Sequence, residues 1–466
     1  MRALSFPHVC LAIAQAHAHK GVIVKFSQRT KVGAAVACVA SFALLATGCS
    51  SAGTGGASDG DNIELTITTF GSMGMSDLYA QYEKENPGIT IKANNIDTGG
   101  NARTDAFTKI AAGSGLSDVT AVEEGWLGSI QEVSDQFVDL SDYGADKIKD
   151  RWVPWKLAQG TDKDGRIIAY GTDIGPEGLC YNSAAFAAAG LPTDRTEVAA
   201  LLGGADATWD SYFALGEQYQ KATGKAWFDQ SGFIWNSMVN QMDEGYYTAD
   251  GDLNVTDNAD LKAAWTKLAA ANAAGLSAAQ TQWDWNKGAS FTDGTFATFM
   301  CPGWMLGVVQ GQVETAGGDA TGATAGWDFA DVFPGGATNW GGSFLTVPTQ
   351  SKHPQEAADL AAWLTDADQQ VAEFKAQGPF PSVTAAQTDP ALAEATGVSA
   401  FFNDAPIADI LTKRADGVKA QFKGPDDSTI QEQVFGPSAI SLDQGVAGDK
   451  AWDDAMTLFD QLITNK

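Results

Sequence analysis

Ile63-Glu64-Leu65-Thr66-Ile67-Thr68-Thr69-Phe70, with the run that follows it to residue 122, is the stretch whose reading decides the fold. Ile63, Leu65 and Ile67 alternate with polar residues, the period of a strand. Ser76 reads as the cap of a helix carrying Leu78, Tyr79 and Tyr82, and Pro87-Gly88 ends it. Residues 89–93 read as a second strand, 102–113 as a second helix and 118–122 as a third strand. Strand and helix in alternation predict an α/β fold with a mainly parallel sheet, because helical crossovers return the chain in the same direction.

Downstream, residues 343–347 read as a strand, followed by helices within 355–377. Leu261, Ala264, Trp265 and Leu268 have helical spacing, as do Trp452, Ala455, Met456, Phe459 and Ile463. Asp164-Gly165, Asp250-Gly251 and Asp293-Gly294 are turn signals. Asp162 and Asp164 stand at the spacing that opens a calcium loop, but the other ligands of such a loop are missing, so a turn is expected.

Upstream, residues 50–60 are rich in Ser, Gly, Ala and Thr and read as a flexible linker. Before them, Lys25, Arg29 and Lys31 precede an apolar run over 32–45, then Ala46-Thr47-Gly48-Cys49. A basic segment, a short apolar segment and small residues make a secretory signal. The apolar run is shorter than the roughly 20 residues that span a bilayer. Its end resembles a lipobox, with Ala46 where Leu is usual and Leu45 one residue earlier. The resemblance implies a signal peptide over 1–48, a lipid on Cys49, a lipidated linker over 49–60 and a protein anchored on the extracytoplasmic face of a bacterial cell membrane. Residues 1–21 fit no export logic, and translation is expected to begin near Val22 or Val24. A precursor peptide covering 2–19, found by mass spectrometry, would refute that start.

The chain has 466 residues, more than one ordinary core holds, and suits two lobes. Its net charge is −28, and all five cations and no acid of residues 1–48 lie in the leader. The remainder carries 24 Lys and Arg against 57 Asp and Glu, a net of −33. Such a surface repels phosphate backbones, so no nucleic-acid partner is expected. His8, His17 and His19 lie in the leader, leaving only His353, beside Pro354, where a turn residue is expected. Triads built on histidine and His-based zinc sites are thereby disfavoured, and neither cofactor nor metal is expected. Cys180 and Cys301 either pair in an oxidising exterior or stay as two buried thiols.

Six segments in order resemble the carbohydrate-binding proteins of bacterial ATP-driven importers, extracellular solute-binding protein family 1, which includes the maltose-binding protein. They are Leu65-Thr66-Ile67-Thr68-Thr69-Phe70-Gly71; Ser117-Asp118-Val119; Gly178-Leu179-Cys180-Tyr181-Asn182 with Ala185-Phe186 and Ala189-Gly190-Leu191-Pro192; Phe291 through Trp304; Trp340-Gly341-Gly342-Ser343-Phe344; and Gly378-Pro379-Phe380-Pro381-Ser382. Each is short, while their order and spacing are specific. Cys180 and Cys301 depart from the residues usual at their positions. The resemblance implies a two-lobed α/β fold of periplasmic-binding-protein type, with a hinge and an interlobe ligand cleft. The implied boundaries are 61–175 and 340–395 for lobe 1, and 178–335 and 400–466 for lobe 2. It also implies a monomer serving ABC permease subunits in the membrane.

A sugar presents flat C–H faces and hydroxyl edges, so its site needs aromatic faces and fixed hydrogen-bond partners. All 14 Trp lie after the leader. Trp265, Trp363 and Trp452 sit at helical apolar spacing and are assigned to core. The resemblance places Trp304 where the family's sugar-stacking Trp stands. Trp340 precedes two glycines that permit close backbone approach, and Trp235 lies in a loop-like segment. Hydroxyl partners are expected from Asp173, at the first crossing, and from Glu123 or Glu124 with Trp126; Ser72, Ser343 and Phe380 complete the candidates. Three functions stay open: oligosaccharide capture without catalysis, polyamine or peptide capture on the same fold, and a secreted glycoside hydrolase. No acid pair stands out for the last.

Overall fold

Two sheets organise the chain, and the computed structural model describes them over residues 62–321, 326–394 and 396–464. The leader, Cys49 and the linker lie outside the described residues. The first sheet has the order β2-β1-β3-β10-β4, formed by β1 (Ile63–Phe70), β2 (Ile89–Ile96), β3 (Val119–Glu123), β4 (Ala169–Gly171) and β10 (Ser343–Thr346). The second has the order β7-β8-β6-β9, formed by β6 (Glu177–Asn182), β7 (Ala226–Phe228), β8 (Phe296–Pro302) and β9 (Trp327–Ala330). A two-stranded ladder of β5 (Asp173–Ile174) and β11 (Phe380–Pro381) lies on the path between them.

The opening strands are parallel, β1 flanked by β2 and β3. Leu65 and Ile67 are fully buried, as the alternation requires. The expected parallel character stops there, because β10 runs antiparallel to both β3 and β4. In the second sheet β6 is antiparallel to β8 and β9, and only β7 and β8 are parallel. The cause is connectivity: β10 arrives from the other lobe, not from a local helical crossover.

The local signals translate into structure with small shifts. The first helix spans Ser76–Glu85 and buries Leu78 and Tyr82. Its N-cap position is Met75, without a side-chain hydrogen bond, so Ser76 begins the helix instead of capping it. The second helix spans Gly99–Ala112 and is capped by Thr98, whose hydroxyl accepts from Asn101 N. Pro354–Leu364 and Ala367–Gln377 form the pair expected within 355–377. Asp162 accepts from the backbone N–H groups of Asp164 and Arg166 and from Arg166 Nε, which makes the segment a turn closed by its own donors.

Residues on the two faces of the second sheet go to different cores. Leu179, Tyr181, Met300 and Ala330 pack with Trp227, Trp235, Trp265 and Phe435. Cys180, Phe299 and Cys301 face the other way, in a core continuous with that of the first sheet. Cys180 and Cys301 form a disulfide with Cα atoms 5.8 Å apart, tying β6 to β8 on that face.

Candidate ligand site between the two lobes

The chain leaves the first sheet at Gly171 and enters the second at Glu177; the return passes through residues 338–342. The two crossings are bonded to each other. Gly175 N donates to Asn339 Oδ1 at 2.7 Å, and Trp340 N donates to Gly175 O at 2.8 Å. No side chain fits at 175, where a Cβ would lie 1.8 Å from Trp340 O. Gly175→Ala is expected to force the crossings apart and lower the melting temperature by about 5 °C or more, read by thermal unfolding.

Asp173 sits in this hinge. Its Oδ1 accepts from Thr172 Oγ1 at 2.7 Å and from Ser343 N at 2.8 Å. Burial pushes its pKa up, and Lys156 opposes the shift. Lys156 is itself buried, with Nζ 3.7 Å from the centre of the Phe344 ring, and burial pulls its pKa down to about 8. Asp173 and Ser343 therefore hold the crossing in place, which is a positioning role. Glu124 is used similarly: Gln159 Nε2 donates to Oε1 at 2.8 Å, and Asn339 Nδ2 donates to Oε2 at 3.2 Å.

Glu123, Trp304 and Trp340 converge. A Cβ placed on Gly341 would lie 3.2 Å from Trp304 Nε1 and 3.7 Å from Glu123 Oε1, so indole and carboxyl meet at this glycine from opposite lobes. Gly341 adopts φ +80°, which keeps the approach open. Trp304 Nε1 donates to Trp340 O at 2.9 Å, and the two rings meet edge to face at 5.6 Å. Both indoles are only partly buried. Burial first, then the neighbouring Glu124 charge, raises the Glu123 pKa to about 8.

Two aromatic residues that the sequence reading did not select complete the group. Phe233 lies 4.9 Å from Trp340 and 5.2 Å from Trp283, and Trp283 lies 6.2 Å from Trp304. One helical turn beyond Phe233, Asn236 Nδ2 is buried with no hydrogen-bond partner among the described residues. A ligand oxygen would satisfy it. Phe233 and Asn236 carry no motif; the available signal is their place in Ser231–Asn240, a segment too apolar for a loop.

Other candidates lie elsewhere. Trp235 is in the helix Ser231–Asn240 and fully buried, its ring 4.8 Å from Phe435 and its Nε1 donating to Tyr246 Oη at 2.9 Å. Trp126 is buried against Phe107, and Phe380 is buried against Phe374. All three are core side chains, because the apolar faces of their elements point inward. Ser72 is exposed in the loop after β1.

The lobes also meet at a second seam. Ser129 Oγ donates to Pro425 O at 2.6 Å, and Gly128 has no room for a Cβ, which would lie 2.2 Å from Gly424 O. Beside it, burial raises the Asp427 pKa to about 6, Lys423 opposing.

Three carboxyl groups, Glu123, Glu177 and Asp229, have pKa values raised to about 8, chiefly by burial. Each folded value exceeds its unfolded value, so their stabilising contribution is full below the ordinary carboxylate range and is lost as pH rises through 8. Lys156 is neutral above about 8 in the fold, so its cost is constant over that window and eases only at higher pH. The melting temperature is expected to fall by about 5 °C or more from pH 5 to pH 8. Glu177→Gln should flatten the slope, which scanning fluorimetry across buffers will read.

Two α/β lobes, crossed more than once by the chain and enclosing an aromatic seam beside the crossings, define a hinged solute-binding protein. The chain matches the family model of bacterial extracellular solute-binding proteins over residues 77–400 and belongs to that family. A crystal structure of an extracellular solute-binding protein family 1 member is 43% identical, with 86% of this chain and 99% of that one covered and a TM-score of 0.75. The galacto-N-biose-/lacto-N-biose I-binding protein of Bifidobacterium longum, in complex with lacto-N-biose, shares the fold at 21% identity, with 87% and 98% covered and a TM-score of 0.70. The arabinooligosaccharide-binding protein of Bacillus subtilis (strain 168) is 26% identical over 230 residues, 47% of this chain and 49% of that one. The chain spans about half the length of the curated relatives it matches. Among the described residues no helix is long and apolar enough to cross a membrane, and no group of three or more His, Cys, Asp or Glu is placed to hold a metal ion.

Proposed function

We propose that this chain captures a neutral oligosaccharide between its lobes and delivers it to the membrane permease of an ATP-driven importer, held at the cell surface by a lipid on Cys49. The observation that carries the reading is the convergence of Trp304, Trp340, Phe233 and Trp283 on a seam beside the hinge, with Glu123 reaching it from the other lobe. Aromatic faces suit the C–H faces of sugars, while a carboxyl and the free Asn236 amide suit hydroxyls. The sugar-binding descriptions of the Bacillus and Bifidobacterium proteins support the same ligand class. A ligand that touches both lobes only when they meet favours the closed form, so capture needs no catalytic step.

Calorimetry with α- and β-linked oligosaccharides, spermidine and short peptides tests the ligand. Micromolar-or-better binding of an oligosaccharide is expected. A chain with 57 Asp and Glu and aromatic faces at the seam would also suit a polyamine, which is the second reading. Silence with every sugar and tight spermidine binding would establish it. Stoichiometric release of shorter sugars would instead make the chain a hydrolase. For the anchor, labelling with a fatty-acid analogue is expected in the wild type and absent in Cys49→Ala; equal labelling would reject Cys49 as the site.

A further inference from the structure

Trp283 stands out among the 14 Trp because it is 41% exposed. Its backbone is left-handed, with φ +65°. Shortly after it, Trp285, Asn286, Lys287 and Gly288 form a left-handed run with φ of +42°, +56°, +55° and +81°. Left-handed backbone is unfavourable for each residue other than glycine. Such strain persists only where the surroundings impose it.

Here they do. Trp285 is fully buried, its Nε1 donating to Asp229 Oδ2 at 3.0 Å. Lys287 N donates to Asp284 Oδ1 at 3.0 Å. Gly288 is pressed onto the helix Gly303–Thr315, where a Cβ would lie 2.0 Å from Gln312 O. The turn is thus fixed at Trp285 and at Gly288, and what it delivers is a large apolar ring left in solvent at the edge of the site. Packing alone would bury that ring.

The rings of Trp283 and Trp304 are 6.2 Å apart and inclined at 36°, so they are neighbours that do not lie parallel on each other. Phe233 packs on Trp283 at 5.2 Å with the rings inclined at 62°.

We propose that Trp283 is a specificity-determining residue that selects saccharide length: Trp304 stacks on one sugar unit and Trp283 on a unit further along the same chain. This rests on the oligosaccharide reading above. A short saccharide fills the seam without reaching Trp283, whereas a longer one gains a second stacked face.

The test is calorimetry of the full chain, wild type, Trp283→Ala, Trp283→Phe and Trp304→Ala, against a graded series of α- and β-linked oligosaccharides from two to five units. Trp283→Ala is expected to weaken binding of the longest saccharides by about fivefold or more while changing the disaccharides by less than about twofold. Trp283→Phe should restore the preference for length, and Trp304→Ala should weaken every member. Wild-type binding that Trp283→Ala leaves unchanged, or lowers equally at every length, overturns the proposal alone. Failure of every saccharide to bind the wild type overturns the oligosaccharide reading and this proposal with it. Because the ring is exposed, its loss should leave the melting temperature within a few degrees, which separates a binding effect from unfolding.

Discussion

Trp304→Ala is expected to weaken oligosaccharide binding by more than tenfold and leave the fold intact. A tenfold loss is about 1.4 kcal/mol, within reach of a single stacked aromatic face removed from a desolvated site. Trp304 begins the helix Gly303–Thr315 directly after β8, so its Cα is set by a strand on one side and a helix on the other. Its indole is half-buried, which means the change leaves no sealed cavity of the kind that destabilises cores. The bond from Nε1 to Trp340 O is lost, but Trp340 N still donates to Gly175 O and holds the crossing. Calorimetry reports the affinity and circular dichroism the fold. Unchanged affinity would assign Trp304 to core.

Removing the Cys180–Cys301 disulfide is expected to cost about 3–5 kcal/mol of stability. The bond closes a sequence separation of 121, and chain-entropy models give roughly 4–5 kcal/mol for a loop of this size. Two features let the double variant keep the native pairing of β6 and β8. β6 and β8 are already hydrogen-bonded neighbours, with Gly178 opposite Cys301 and Cys180 opposite Phe299. Both sulfurs lie in packed core, so a Cys180→Ala, Cys301→Ala double variant keeps apolar groups in apolar surroundings. Urea unfolding of wild type and double variant, with and without reductant, measures the difference. If the midpoint is the same for all four samples, the cysteines do not pair in the folded protein.

Local reading of the sequence reached the elements far better than the site. The alternation of Ile63, Leu65 and Ile67 and the helix stop at Pro87-Gly88 act within a few residues, and the elements follow them. The direction of β10 was invisible to that reading, because its neighbours β3 and β4 lie far upstream. The site divides the same way. Trp304 and Trp340 came from segments with recognisable order, and they meet. Trp235 was misplaced because Gly232-Phe233-Ile234-Trp235-Asn236 was read as a loop, while the helix turns Phe233 toward Trp340 and Trp235 into the core. Trp283 was passed over because no local pattern announces a left-handed turn at residues without glycine. Asp173 and Glu124 are expected as hydroxyl partners from their charge and their places at the first crossing and after the third strand. Their oxygens are engaged by Thr172, Ser343, Gln159 and Asn339, which only tertiary structure reveals.

The late arrival of β10 governs how the molecule is made. Thr346 and Thr120 are paired neighbours, yet more than two hundred residues separate them. During synthesis β3 waits beside an empty lane until the whole second sheet has been produced. The first sheet therefore cannot be completed before the strands of the second have all emerged. The lane between β3 and β4 closes only when this single four-residue strand slots in, so the first sheet is completed late and in one step.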